Sequence, residues 1–183
     1  MKLLPTAIEG VILAETNLSS DHRGAFSRLF CERELASVLG ERRIVQINQS
    51  LTVAVGTVRG MHYQHPPHAE MKLVRCIKGR ILDVVVDLRA ESPTLLQWHA
   101  EELSSKNARM LIIPEGCAHG FQVLDSDSEL LYLHTNYYTP EAEDGVLHND
   151  SRLAISWSLP VTNLSERDQG YPIIPQDFGG IEV

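Results

Sequence analysis

The chain has 183 residues, 43% hydrophobic and 22% charged, with a formal net charge of −8. That length suits one domain with a sizeable core, and the ordinary composition excludes a disordered tail, a collagen and a coiled coil. Sixteen basic against twenty-four acidic residues argue against a nucleic-acid or anionic-membrane surface, so any anion must meet cations gathered in one site. In chain order, Pro5 and Glu9 interrupt the apolar run that a secretion signal needs, and no membrane-length apolar stretch follows. Residues 8–15 and 25–30 read as early strands around an Asp21-His22-Arg23-Gly24 turn. Residues 31–39 make the best helical segment, with Leu35, Val38 and Leu39 on one face and Gly40 at the C-cap. Strands are then expected at 43–50, 56–64, 71–78, 80–88, 96–103, 110–113, 120–125 and 129–138. Pro140 ends the last of these, and the remainder reads as a wrapping tail.

Many short strands with one short helix near the N-terminus predict an all-β protein. A double-sheet jelly roll or a related barrel, forming a single domain over 1–183, is the expected architecture. Cys31, Cys76 and Cys117 form no CxxC pair and read as small buried hydrophobes in a reducing compartment. A soluble, cytoplasmic protein is expected. Gln46, Asn48 and Ser50 share one strand face, opposite Val45 and Ile47. Tyr132, His134, Asn136 and Tyr138 share another, opposite Leu131, Leu133 and Tyr137. Such faces suit either a solvated exterior or the lining of a ligand cavity.

The densest chemistry runs from Arg59 to Arg75. Two strand-like segments flank Pro66-Pro67, and a hairpin symmetric about Pro67 sets His62 opposite Lys72, with Cβ atoms about 5 Å apart. The plainer alternative is a satisfied core histidine and a surface lysine. Further on, Pro114-x-Gly116-x-x-His119 before a strand resembles the second motif of the cupin jelly rolls. Metal-binding cupins pair that histidine with an H-x-H segment. Here the corresponding residues are His62-Tyr63-Gln64, one imidazole short of the usual ligand set, so no metal is expected.

Taken together, these segments resemble the dTDP-4-dehydrorhamnose 3,5-epimerase family, cofactor-free cupin-like jelly rolls, over nearly the whole chain. The resemblance rests on Asp21-x-Arg23-Gly24, Gln46-x-Asn48, Arg59-Gly60-Met61-His62-x-Gln64, Lys72-Leu73-Val74-Arg75 and Asp83-Val84-x-Val86-Asp87-x-Arg89. It continues through Ser92-Pro93-Thr94, Pro114-x-Gly116-x-Ala118-His119-Gly120-Phe121, Tyr137-Tyr138-x-Pro140-x-x-Glu143 and Leu164-Ser165-x-x-Asp168. A 4-keto sugar has acidic C–H bonds on the carbons flanking its carbonyl, and epimerisation removes a proton from one face and returns one to the other. The resemblance implies that His62 is the general base, oriented by Asp168; imidazole titrates near neutrality, which suits the task. It implies Lys72 at the C4 oxygen, where enolate charge develops, and Tyr132 as proton donor on the opposite face.

The same resemblance assigns substrate contacts to Arg23, Arg28, Gln46, Asn48, Arg59, Lys72, His119, Tyr138, Glu143 and Arg167. Tyr138 would stack on the nucleotide base, and the cations would meet the diphosphate of a nucleotide-diphosphate sugar. It further implies a homodimer whose N-terminal strands cross to the neighbouring subunit, carrying Arg23 into the partner's site. Three positions depart from the family pattern. Arg28 replaces a glutamate near the base, His148 a tryptophan, and Cys117 a phenylalanine beside His119. The acid/base set is intact, so the nucleotide and the number of centres inverted are the open variables. Rival readings are a single-centre epimerase or ketoisomerase on the same scaffold, and a metal-binding cupin.

Overall fold

Val84, Val85 and Val86 form an unbroken apolar run in a chain otherwise rich in alternation, as expected for a strand covered on both faces. The computed structural model, which describes residues 1–183, shows how this arises. Thirteen strands, numbered in chain order, build two stacked sheets and a separate hairpin. The six-stranded sheet has the order β1 (Lys2–Pro5), β2 (Ile12–Glu15), β10 (Arg109–Ile113), β7 (Lys72–Lys78), β12 (Ser128–His134), β5 (Gln46–Thr52). The five-stranded sheet runs β13 (Glu143–Gly145), β6 (Val58–Gln64), β11 (Cys117–Val123), β8 (Arg80–Asp87), β9 (Trp98–Ser104). The strands β3 (Leu18–Asp21) and β4 (Gly24–Ser27) pair only with each other.

Inward-facing Val74, Cys76, Leu111, Ile113 and Leu130 of one sheet meet Ile81, Val85, Leu103, Phe121 and Val123 of the other. Each outer face has its own cover. Helix α1 (Glu32–Leu39) lays Leu35 and Leu39 on Leu73, Met110, Ile112 and Leu133. The C-terminal tail lays Val146, Leu153, Ile174 and Ile181 on Met61, Val84, Val86 and Ala118. Gly40, with φ 58°, caps α1 as expected, its N–H bonding the Ala36 carbonyl. No helix is long and apolar enough to cross a membrane.

The jelly-roll expectation holds: the protein is all-β with a short helix near its N-terminus and a wrapping tail. Several boundaries differ. Residues 8–11 turn rather than extend, with Val11 N–H bonding the Ile8 carbonyl, and β2 starts at Ile12. Residues 25–30 contribute only the β4 half of a hairpin whose other half, Leu18–Asp21, the alternation did not mark. The strand read over 129–138 stops at His134, and Pro140–Ala142 forms a 3-10 turn. Cys76 and Cys117 are buried as expected, whereas Cys31 is half-buried before α1.

The symmetric hairpin about Pro67 does not form. β6 belongs to the five-stranded sheet and β7 to the six-stranded one, so His62 and Lys72 are not ladder partners. The ladder partner of His62 is His119, and that of Lys72 is His134. Two consecutive prolines withhold the N–H donors that a continuing ladder needs, and the chain instead turns the corner between sheets. The two side chains still converge, because the sheets face each other.

Candidate active site

Between the two sheets, at the β5–β12 end, lies a cavity of about 300 Å³. His62 reaches it from β6 through a β-bulge. His119 pairs with His62 and Phe121 with Arg59, so three residues of β6 span two of β11. The bulge lets both Arg59 and His62 line the cavity although they are three apart. It requires glycine at its centre. Gly60 has φ +131°, and a Cβ there would sit 2.5 Å from Gly120 Cα.

The same bulge aims the Gly60 N–H at Asp168, whose Oδ2 accepts it at 3.2 Å while Oδ1 lies 2.8 Å from His62 Nε2. Asp168 belongs to α2 (Glu166–Gln169), where Ser165 caps the Asp168 N–H at 3.1 Å. The Ser165-x-x-Asp168 spacing is that of a capping box, but the carboxylate turns outward to the imidazole. Burial alone would raise this carboxyl, yet the His62 hydrogen bond and charge, with the Gly60 N–H, hold it below the usual carboxylate range. An ionised Asp168 accepts from Nε2–H, which leaves the lone pair on Nδ1. That is the tautomer a proton acceptor needs. Arg167 Nη2 also stands 3.3 Å from Nε2; both groups donate in this tautomer, so Asp168 orients the ring.

The facing wall comes from the six-stranded sheet. Tyr132 stands on β12 with its hydroxyl 2.9 Å from Ser50 Oγ of β5, and burial raises its phenol well above the ordinary tyrosine range. A phenol so placed stays protonated and can serve as a donor. Its ring lies edge-on to His119, centroids 6.3 Å apart, and stacks on His134 at 6.2 Å. Lys72 Nζ is 3.2 Å from Glu70 Oε1 and 3.4 Å from the His62 carbonyl oxygen. His119 Nε2 lies 2.7 Å from Asp83 Oδ1. At the exposed side, Glu143 Oε2 accepts from Tyr138 Oη at 2.8 Å and Arg167 Nη1 at 2.6 Å.

Of the residues expected from sequence, Asn48, Arg59, His62, Lys72, His119, Tyr132, Tyr138, Glu143 and Arg167 line this one cavity. Asp168 stands behind His62 in an adjoining cleft. Gln46 supports the rim, its Oε1 accepting the Tyr138 N–H at 3.2 Å. Arg23 and Arg28 are not brought in by their own chain: Arg23 pairs with Asp21 on the exposed β3–β4 hairpin and Arg28 with Glu34 of α1. Ser50, Glu70, Asp83 and His134 are site residues that the sequence reading left without a role. Ser50 and His134 lay on faces already marked as polar. Glu70 and Asp83 show their purpose only through partners on other strands. Each cavity imidazole is engaged by its own carboxylate, and no group of three or more His, Cys, Asp or Glu side chains converges as a metal ligand set would.

Residues 5–176 match the family model described as dTDP-4-dehydrorhamnose 3,5-epimerase. The chain belongs to the dTDP-4-dehydrorhamnose 3,5-epimerase family. The Salmonella typhimurium protein of that name is 39% identical over 178 residues, covering 96% of this chain and 97% of the relative. A Streptomyces niveus protein named dTDP-4-dehydrorhamnose 3-epimerase is 38% identical, covering 92% of this chain and 82% of the relative. Among solved structures, a Legionella pneumophila 3,5-epimerase in complex with dTDP-4-keto-L-rhamnose superposes with TM-score 0.89 at 37% identity. It covers 94% of this chain and 92% of the other. None of this epimerase-family chain's three departures lines the cavity. Cys117 is buried in the core between the sheets, Arg28 is held by Glu34, and His148 is buried with Nδ1 unpartnered while its carbonyl accepts from Trp157 Nε1 at 2.9 Å.

Proposed function

We propose that this protein is a cofactor-independent epimerase of a dTDP-linked 4-keto-6-deoxy sugar. The observation that carries the reading is an oriented imidazole on one sheet facing a buried phenol and an ammonium on the other, in one cavity. His62 Nδ1 takes the proton from the carbon beside the carbonyl, and the C–H electron pair moves into an enolate. Lys72 stabilises the charge on the C4 oxygen, a contribution of several kcal/mol for a preorganised donor, about 3–4 in measured cases. Tyr132 returns a proton to the opposite face. Solvent then restores the proton to Tyr132 and removes the one held by His62, so no outside reactant is consumed.

On this reading Tyr138, Glu143, Arg167, Gln46, Asn48 and Arg59 bind the nucleotide, diphosphate and sugar, with His119 beside the reacting ring. Residues 1–183 act as one domain, a reading supported by the tail that packs on the sheet and returns Asp168 to the base. Three unpaired cysteines suit a cytoplasmic setting.

The test is incubation with dTDP-4-dehydro-6-deoxyglucose in heavy water. Deuterium at C3 and C5, and inverted product after trapping by reduction, are expected by NMR; no exchange at either carbon would falsify the reading. A second reading is favoured by the 3-epimerase among the relatives: inversion at C3 alone would establish it.

A homodimer that exchanges N-terminal strands completes the proposal. The edge strand β5 turns Ile47 and Leu51 outward, 60% and 51% exposed, and Val53 follows at 61%. The β3–β4 hairpin joins neither sheet, leaving Phe26 74% exposed and carrying Arg23, paired with Asp21, on the surface where a neighbour would meet it. Mixing tests this. Arg23→Ala and His62→Ala are each expected to be poorly active, yet their refolded mixture recovers turnover, since a hybrid dimer holds one intact site. A mixture no more active than its components excludes the crossing arm.

A further inference from the structure

His62 with Asp168 and His119 with Asp83 have places in the chemistry above; the third pair, His134 with Glu70, has none. Glu70 lies two residues before Lys72, just ahead of the start of β7, and its carboxylate turns back to the lysine. His134 closes β12 directly opposite Lys72 in the ladder. The Glu70 carboxylate is thereby divided between them, with Oε1 3.2 Å from Lys72 Nζ and Oε2 2.8 Å from His134 Nδ1. Its side chain is only 5% exposed. Asn48 Nδ2 stands 3.4 Å from the other His134 nitrogen, completing the ring's polar surroundings.

We propose that Glu70 and His134 are positioning residues for Lys72, giving its ammonium a counter-charge and aiming it past the His62 carbonyl toward the reacting oxygen. A buried ammonium with no counter-charge loses its proton or turns toward water, and either outcome removes the cation from the enolate. A carboxylate devoted wholly to that ammonium would have the opposite fault, cancelling the field it should project. His134 prevents this by taking the second carboxylate oxygen. Burial would push the Glu70 carboxyl up, but the His134 hydrogen bond and the Lys72 charge hold it below the usual range, so it remains anionic. The proposal rests on the epimerase reading, in which Lys72 meets the C4 oxygen.

Glu70→Gln separates charge from shape: the amide oxygen still accepts from His134, but nothing balances Lys72. In the full-length protein, kcat and deuterium wash-in are expected to fall together by about tenfold or more, while KM and calorimetric affinity for dTDP stay within about twofold. Glu70→Asp, which restores the charge, is expected to recover several-fold of that loss. His134→Leu fills similar space against Tyr132 and frees the carboxylate to collapse onto Lys72; its kcat is expected to fall with KM unchanged. It decides the matter if Glu70→Gln cannot bind dTDP. Wild-type kcat in either variant, or a loss appearing only in KM, overturns the proposal. Absence of exchange in the wild-type protein is a separate result, and sinks the epimerase reading instead.

Discussion

His62→Ala is expected to lower epimerisation by at least the ~10²–10⁴-fold typical of a lost general base. The loss should lie at the upper end, because a water in the vacated space would have to be held and polarised by Asp168 alone. His119 and His134 cannot stand in. Both project from other strands and are committed to Asp83 and Glu70. The dTDP affinity should change little, since Tyr138, Glu143 and Arg167 hold one another at the exposed side of the cavity through Glu143 Oε2. Steady-state inversion measured beside a calorimetric dTDP titration gives both quantities. A variant that kept a third of the wild-type rate would remove His62 from the role of base.

Tyr132→Phe is expected to uncouple the two halves of the reaction. His62, Asp168 and Lys72 are untouched, so the proton still leaves and deuterium still enters substrate from the face of the base. Delivery to the other face is lost, and inversion should drop by about 10²-fold or more, the scale of a missing general acid. The aromatic ring keeps its contacts with His119 and His134, so the cavity wall stays in place. Ser50, half-buried at the cavity wall, loses its partner, a cost of about 0.5–1.5 kcal/mol in stability, which a thermal melt reports independently. Equal losses of wash-in and inversion assign the donor elsewhere. The contrast with Glu70→Gln is sharp, because there both readouts should fall together.

Much of the fold was legible because its signals are local. Alternation in Gln46–Ser50 and Leu131–His134 marked polar faces, which the fold turns toward the cavity, and Gly40 marked the end of α1. What strand spacing cannot encode is the choice of partner. The segments around Pro66-Pro67 looked like a hairpin because each is a strand and they are close in sequence; their true partners, β11, β10 and β12, are far away. Elements as short as β13 and α2 offer no period to detect, and Asp168 was found through its motif alone. Glu70 illustrates the deeper limit. A carboxylate beside a lysine reads as a solvated surface pair, and only the fold supplies His134, 64 residues onward, to complete its burial. Arg23 and Arg28 show the reverse, Arg23 singled out by its motif and Arg28 by its departure from the family pattern, yet both left outside the cavity by their own chain.

Asp168 reaches His62 across 106 residues, on a tail that arrives after every strand has been made. During synthesis the two sheets can therefore close before Asp168 reaches His62, and on the proposed mechanism competence is expected only when the last segment docks. The tail is held by Ile174 and Ile181 on the outer sheet face and by Gln122, whose amide clasps the Leu159 carbonyl and N–H at 2.8 and 3.0 Å. Peeling it away exposes far less apolar surface than separating the sheets, so this opening costs less than global unfolding. Activity is thus expected to follow the attachment of one peripheral ribbon, and proteolytic nicking there is expected to lower turnover before circular dichroism reports loss of the jelly roll.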